Sequence, residues 1–278
     1  MKKIVPVSKI SRYAKKKTVA LSDETIHRKN KAVDFLKNVA DVALFISSVV
    51  RNTFARGFEF SEFAKQCFQI GNKSLPLISV TGVIIGLVLT IQSRPVLVDF
   101  GAESMLPGMV AISIIREMGP VITALICAGK IGSSMGAELG SMRVTEQIDA
   151  MEVSSINPIK FLIVPRILAA TLMIPLLTLY ADILGIFGSW AGANIKGDVS
   201  LVLFISQAFG DLEFMDVIPA TIKTFFFGAV IGFVGCYKGF NAGRGTESVG
   251  IAANSAVVVS SLLLIIVDLI AVQITDLL

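Results

Sequence analysis

The sequence is nearly devoid of histidine, and this limits the chemistry that the chain can perform. Its single histidine, His27, lies in a lysine-rich N-terminal stretch. Residues 132–136 match the G-x-S-x-G pattern of a hydrolase nucleophile, but that chemistry needs a histidine partner and a strand-to-helix turn. We therefore predict no catalytic residue and attribute these glycines to helix packing.

A phosphate-binding loop is also missing. Gly129 and Lys130 are adjacent, but Ile131 follows where such a loop needs serine or threonine, and Ala124 stands at the position of its first glycine. The chain is therefore predicted to bind no ATP by itself and to carry no cofactor.

Cysteine is scarce as well. Cys67, Cys127 and Cys236 are far apart, lack a C-x-x-C spacing, and lie in or beside apolar segments. They indicate neither a disulfide framework nor a metal site, so we interpret them as packing residues.

Charged residues make up only 17% of the chain, against 54% hydrophobic residues and a mean hydropathy of +0.76. This composition predicts an integral membrane protein. Residues 1–73 nevertheless hold 15 of the 25 Lys and Arg and only 6 of the 21 Asp and Glu. The basic excess therefore belongs to the N-terminal end.

Residues 1–29 are predicted to form a basic cytoplasmic tail. No long apolar segment follows the lysines, so the tail does not resemble a cleavable signal peptide. Clustered lysines beside a membrane favour anionic lipid headgroups, whereas nucleic-acid binding would need aromatic or motif support that this stretch lacks.

Residues 30–74 are predicted to form amphipathic helices in the membrane interface. Apolar side chains recur at helical spacing between residues 31 and 54, but their uninterrupted core falls short of the roughly 20 residues that a span needs. A second element, residues 54–70, mixes phenylalanines with charged residues in the same way.

Residues 75–278 contain five apolar runs of about spanning length, at 75–92, 108–128, 161–190, 217–237 and 252–274. The fold class is therefore an all-α integral membrane protein with five transmembrane helices. Basic residues cluster in the connections on the side of the N-terminus, so the positive-inside rule predicts a cytoplasmic N-terminus and an external C-terminus. The external connection, 191–216, is predicted to carry a short amphipathic helix. Prolines in the third run predict a kink there.

Residues 138–158 are a polar stretch between the second and third runs, on the predicted cytoplasmic side. Three apolar residues at i, i+4 and i+7 predict one helical face: Val144, Ile148 and Met151. Three acidic residues at i, i+3 and i+6 predict another: Glu146, Asp149 and Glu152. The pattern alone leaves open whether this helix is a docking site or a passive linker.

Charges inside apolar runs are candidate functional residues because they are costly in lipid. Arg116 and Glu117 lie near the middle of the second run and either satisfy neighbouring groups or face a polar cavity. Lys223 lies near the outer end of the fourth run, where its side chain could extend to the interface. Asp182 and Asp268 are left without a predicted role.

Glycines recur four residues apart in several runs, for example at 82 and 86 and at 228 and 232. This spacing lets helix backbones approach closely in lipid. Packing within one subunit is the favoured interpretation, and a subunit interface is the alternative.

The second run and the polar stretch after it closely resemble the core signature of the MlaE-type permeases. These proteins are membrane subunits of phospholipid-transporting ABC systems that work with MCE-domain proteins. The matching motifs are R-E-x-G-P from Arg116, A-G-x-x-G-S from Ala128, A-E-x-G from Ala137 and M-R-x-T-E-Q from Met142. A weaker resemblance extends over residues 30–278.

The resemblance implies a homodimer of five-span subunits, cytoplasmic ABC ATPase subunits that bind ATP, and a periplasmic ring of MCE-domain proteins. It also leaves room for a small STAS-type cytoplasmic subunit. It places the ATPase on a coupling helix at about residues 141–153, with these coupling residues: Arg143, Glu146, Gln147, Asp149, Met151 and Glu152. It implies a lipid cavity at the dimer centre, lined by the first and fifth spans, and lipid binding by Arg116, Glu117 and Lys223.

Two departures from the family pattern stand out. Residues 1–29 have no counterpart in compact members, so their role is unassigned. Many relatives carry a basic trio near the start of the fifth span, where this chain has Ala253, Asn254 and Ser255.

The predicted function is that of a permease subunit, not an enzyme, in the inner membrane of a double-membraned bacterium. It would move phospholipid between that membrane and the MCE conduit. The alternatives are a secondary transporter driven by an ion gradient and a membrane anchor for an MCE ring that transports nothing. Internal repeats typical of secondary transporters are not evident.

Overall fold

The computed structural model describes residues 36–37, 39–54, 58–195, 197, 199–210 and 212–277. The predicted basic tail, residues 1–29, lies outside the described residues. The chain divides into two compact units, Met1–Val50 and Arg51–Leu278. In the first unit, residues 39–50 are helical (α1) as predicted, and their location in the membrane interface stays a prediction.

The second unit contains five helical segments long and apolar enough to cross a membrane, which confirms the all-α membrane fold. The first is helix α2, Phe60–Asp99. The second, Glu103–Val144, runs through helices α3 (Leu106–Ser113), α4 (Gly119–Cys127) and α5 (Ser133–Val144). Two π turns, Ile114–Met118 and Ala128–Gly132, join these three helices.

The remaining helices complete the unit. A short helix, α6 (Gln147–Val153), precedes a π turn at Ile159–Ile163 and the long helix α7 (Val164–Asn194). Helix α8 (Leu201–Gly210) lies in the connection to α9 (Phe214–Phe240), and α10 (Thr246–Thr275) is the last span. The short helix predicted between the third and fourth spans is therefore present.

The helix that contains the first span starts well before that span. Residues 60–74 belong to α2 itself, so the boundary predicted at residue 74 lies inside one continuous helix. The apolar pattern did not reveal this continuity, because charged residues such as Glu62 and Lys65 interrupt the apolar run without interrupting the helix. A helix can continue beyond the hydrocarbon region with its backbone hydrogen bonds intact, because polar groups carry a free-energy penalty only inside that region.

Glycines bring the spans into close contact, as their spacing predicted. A Cβ on Gly86 of α2 would overlap the carbonyl oxygen of Gly185 in α7. A Cβ on Gly228 of α9 would lie 2.6 Å from the carbonyl oxygen of Ala170, also in α7. Helix α7 is therefore held between α2 and α9 by direct backbone contacts within one chain.

Helix α8 fixes the start of the second span. Its buried residues Phe204 and Ala208 belong to one hydrophobic cluster with Val110 and Ile114 of the second span. The indole Nε1 of Trp190 in α7 donates to the carbonyl oxygen of Val199, just before α8, at 3.0 Å. Helix α8 thus packs against the start of the π turn at Ile114.

Candidate functional site

A polar pocket lies between the second, fourth and fifth spans. Arg116 and Glu117 reach it from the π turn Ile114–Met118, Asp216 and Lys223 from α9, and Thr275 from the end of α10. The structure therefore brings together all three residues predicted to bind lipid. No described residue of the first span lines this pocket. The pocket therefore differs from the cavity that the resemblance implies, which lies at a dimer centre and is lined in part by the first span.

Lys223 is the centre of a three-helix ion-pair network. Its side chain is only 5% exposed, and its Nζ donates to Glu117 Oε2 and to Asp268 Oδ1, each at 3.0 Å. The side chain of Lys223 does not extend out of the unit, because two carboxylates hold its ammonium inside. Asp268, which had no predicted role, supplies the link to the fifth span.

Arg116 is held more loosely than Lys223. Its Nη1 lies 3.5 Å from Asp216 Oδ1, beyond the roughly 2.7–3.2 Å of a hydrogen bond, and its side chain is 41% exposed. Asp216 is itself fixed, since its Oδ2 accepts from the backbone N–H of Glu213 in the capping box that starts α9. The guanidinium therefore keeps donors that can meet an anion.

Arg116 lies towards one end of the second helical segment. The segment extends from Glu103 to Val144, so Arg116 lies 13 residues after its start and 28 before its end. Its partner Asp216 lies in the first turn of α9. The pocket is therefore near the end of the spans at which α9 begins, and the depth of Arg116 in the membrane stays a prediction.

The π turn explains how two adjacent residues face one pocket. Neighbouring residues of a regular α-helix point about 100° apart, so they normally face different surroundings. A π turn adds one residue to the helical turn and is frequent at functional sites. Here it lets Glu117 reach Lys223 while Arg116 reaches Asp216.

Asp182 of α7 packs against Gly119, the residue that follows this π turn. It is 7% exposed, and its carboxylate occupies the space that a side chain at Gly119 would need, directly after the π turn. Its Oδ1 has no hydrogen-bond partner within the part of the chain that the structure describes. Asp182 does not line the pocket, so we assign it no ligand.

The predicted coupling helix is broken in two. Helix α5 ends at Val144, Glu146 adopts a left-handed conformation with φ 59°, and α6 begins at Gln147. Arg143 bridges the break, since its Nη1 pairs with Asp149 Oδ1 and its guanidinium lies 5.9 Å from the ring centre of Phe240 at the end of α9. A single helix over residues 141–153 was therefore the wrong prediction.

The predicted faces of this segment are nevertheless present. Ile148 is fully buried, whereas Glu146, Gln147, Asp149 and Glu152 are exposed and Met151 is partly buried. The charged side is thus free to meet a partner, and the apolar side anchors the segment. Arg143 lies 27 residues after Arg116, which corresponds to roughly 40 Å of helix. The pocket and the coupling segment therefore lie at opposite ends of the second span.

Sequence comparisons identify relatives of the whole second unit. Residues 63–274 match the family model described as Permease MlaE. A probable ABC transporter permease protein of Rickettsia felis is 37% identical over 236 residues, which cover 85% of this chain and 91% of the relative.

More distant relatives extend to plants. The intermembrane phospholipid transport system permease protein MlaE of Haemophilus influenzae is 35% identical over 213 residues, or 76% of this chain and 81% of that protein. The chloroplastic protein TRIGALACTOSYLDIACYLGLYCEROL 1 of Arabidopsis thaliana is 32% identical over 227 residues, or 82% and 65% of the two chains.

Proposed function

This chain belongs to the MlaE permease family, and from that membership we propose that it moves phospholipid as the membrane subunit of an ATP-driven transporter. The family assignment and the five spans make it a multi-pass permease subunit and not a catalytic enzyme. The lipid would pass between the inner membrane and a periplasmic conduit of MCE-domain proteins. The name of the Haemophilus relative supports phospholipid as the cargo.

The observation that carries the proposal is the loosely held Arg116 in a pocket among three spans. A guanidinium offers a planar pair of donors that matches a phosphate, and its long contact with Asp216 leaves those donors available. Lys223 has a different role, because Glu117 and Asp268 already neutralise it. Its network holds the second, fourth and fifth spans together beside the headgroup.

Energy would enter through the coupling segment. The chain is proposed to bind no ATP, so cytoplasmic ABC ATPases would supply hydrolysis after docking on the exposed charges of α5 and α6. Arg143, Glu146, Gln147, Asp149, Met151 and Glu152 remain the proposed coupling residues. The N-terminus and this segment would be cytoplasmic and the C-terminus periplasmic, on the strength of the basic residues in their connections.

We further propose that the working unit is a homodimer. Helix α10 leaves a row of apolar side chains uncovered, among them Val258, Leu262, Ile265 and Leu269. These could contact lipid as well as a second copy, so family membership supports the dimer more than the exposed face does. A small STAS-type cytoplasmic subunit is compatible with the same arrangement.

The test is lipid transfer by the chain reconstituted with its ATPase and MCE partner, measured with fluorescent phospholipid. Arg116→Ala should lower ATP-dependent transfer about tenfold or more, because a charge-assisted pair with phosphate is lost. Arg116→Lys should restore only part, since lysine lacks the planar fork.

Asp216→Asn is the matched control for this experiment. If Arg116 serves the lipid, Asp216→Asn should retain transfer, since it frees the guanidinium; equal damage from both variants would make the residue structural and count against the proposal. Transfer abolished by an uncoupler but not by loss of the ATPase would identify a secondary transporter instead. Transfer unaffected by Arg116→Ala, with the complex intact, would favour a simple anchor.

A further inference from the structure

A second polar groove lies between α2 and the far end of the second span. Gln69, Lys73 and Ser74 line it from α2, and Lys130, Ser134 and Glu138 line it from the π turn Ala128–Gly132 and α5. Lys130 lies 14 residues beyond Arg116 along the span, or roughly 21 Å of helix. The groove is therefore separate from the pocket at Arg116.

One end of the groove carries the carboxylate of Glu138. Glu138 is 37% exposed, and its Oε1 accepts from Ser134 Oγ at 3.0 Å and from Gln69 Nε2 at 3.3 Å. Its Oε2 lies 3.5 Å from the buried guanidinium of Arg166 in α7. Three helices thus hold this carboxylate in place while more than a third of its side chain stays open to a ligand.

The other end is positive and contains an unused hydroxyl. The ammonium of Lys130 donates to the backbone carbonyl of Lys73, whose own side chain is exposed beside it. Ser74 is 1% exposed, and its Oγ has no hydrogen-bond partner among the described residues. Ser79, further along the same helix, instead donates to the carbonyl oxygen of Leu75 at 2.7 Å.

The two ends of the groove carry groups of opposite charge. Gln69 meets Glu138 and the backbone carbonyl of Lys73 meets Lys130, and these two residues of α2 are one turn apart along the helix. A phosphate and an ammonium joined by a short link can therefore meet both groups. None of the described residues that line the groove is aromatic, whereas quaternary ammonium groups are usually held by aromatic rings. A primary ammonium, which can donate to Glu138, is therefore favoured.

The groove also lies at a predicted membrane boundary. Lys73 lies two residues before the apolar run at 75–92, and Lys130 lies two residues after the run at 108–128, so both ammoniums are expected at one boundary. Beyond Lys73, the exposed apolar side chains of Leu77, Val80 and Ile84 continue along one face of α2. That face offers a surface for acyl chains directly below the headgroup.

We propose that this groove binds the headgroup of an aminophospholipid, with its phosphate at Lys73, Lys130 and Ser74 and its primary ammonium at Glu138. The inference rests on the proposed function only in taking the ligand from the membrane lipids. It adds a second lipid position, at the opposite membrane boundary from Arg116, and a preference for a primary amine.

The test uses the purified full-length chain in detergent, with bound lipid counted by native mass spectrometry during titration. Phosphatidylethanolamine should bind about tenfold more tightly than phosphatidylcholine. Lys73→Gln combined with Lys130→Gln should lower its affinity about tenfold or more, while Glu138→Gln should remove the preference over phosphatidylcholine. Lys65→Gln, an exposed lysine on the same helix that pairs with Glu62, is the matched control and should change nothing.

Two results would overturn the inference. One is phosphatidylethanolamine binding that is unchanged in the double variant, and the other is an unaltered chain that binds phosphatidylcholine as tightly as phosphatidylethanolamine. Soluble glycerophosphoethanolamine should bind at least tenfold more weakly than the lipid, and equal affinity would assign the groove to a soluble phosphate compound instead. The transfer assay does not depend on the groove assignment, so the proposed function can fail there while the groove assignment stands. The groove assignment can likewise fail in the binding assay while the proposed function stands.

Discussion

Removing the ammonium of Lys223 should destabilise the unit strongly. The substitution Lys223→Met keeps most of the side-chain volume but leaves Glu117 and Asp268 facing each other without a cation. Breaking a buried ion pair by deleting one partner costs about 3–5 kcal/mol. Glu117 is 42% exposed and can be solvated, so we take the lower end of that range.

The expected loss of about 3 kcal/mol corresponds to a change on the order of a hundredfold in the unfolding equilibrium. It can be measured by equilibrium unfolding of the purified chain in mixed micelles, followed by helical circular dichroism. Lys238→Met is the matched control, because Lys238 lies in the last turn of the same helix, α9. That control should cost less than about 1 kcal/mol.

A double variant distinguishes a true network from local packing loss. Adding Asp268→Asn to Lys223→Met removes one of the two stranded carboxylates. It should therefore recover about 1–2 kcal/mol relative to the sum of the single changes. If Lys223→Met costs no more than Lys238→Met, or if the two changes add without recovery, the network does not hold the three spans together and the reasoning fails.

Two further predictions concern packing and docking. Gly228→Ala should cost about 1–3 kcal/mol in the same unfolding assay, because its Cβ would lie 2.6 Å from the carbonyl oxygen of Ala170. Gly129→Ala has open space around it and should be neutral; equal costs would contradict the close-contact interpretation. Glu152→Lys, which reverses an exposed charge on α6, should reduce ATPase co-purification about tenfold, whereas exposed Glu247→Lys should not. Undiminished co-purification with Glu152→Lys would place the docking surface elsewhere.

The five spans could be predicted because lipid demands long apolar helices, and each run in the sequence was long enough. The ends of the helices could not be predicted in this way. Residues 60–74 continue α2 with a mixture of charged and apolar residues, which a search for apolar runs does not detect. The break at Glu146 also escaped prediction. Val144, Ile148 and Met151 keep helical spacing across it, so periodicity alone cannot reveal one residue in a left-handed conformation.

The sequence predicted the charged residues of the site but not their partners. Arg116, Glu117 and Lys223 were found because charges are rare in apolar runs. Their partners were missed because Lys223 and Asp268 are 45 residues apart, and pairing between helices follows from tertiary packing, not from spacing. Asp216 was read as part of an external connection, although the capping box places it in the first turn of α9.

The contact between Arg143 and Phe240 gives the broken segment a mechanical consequence. Arg143 of α5 pairs with Asp149 of α6 across the bend at Glu146 and also lies against Phe240, the last residue of α9. Helix α9 runs without a proline from Phe240 back to Lys223, 17 residues or roughly 25 Å away. Movement of α6 would therefore act through Arg143 on both α5 and α9, and along α9 it would reach the ion-pair network at Lys223.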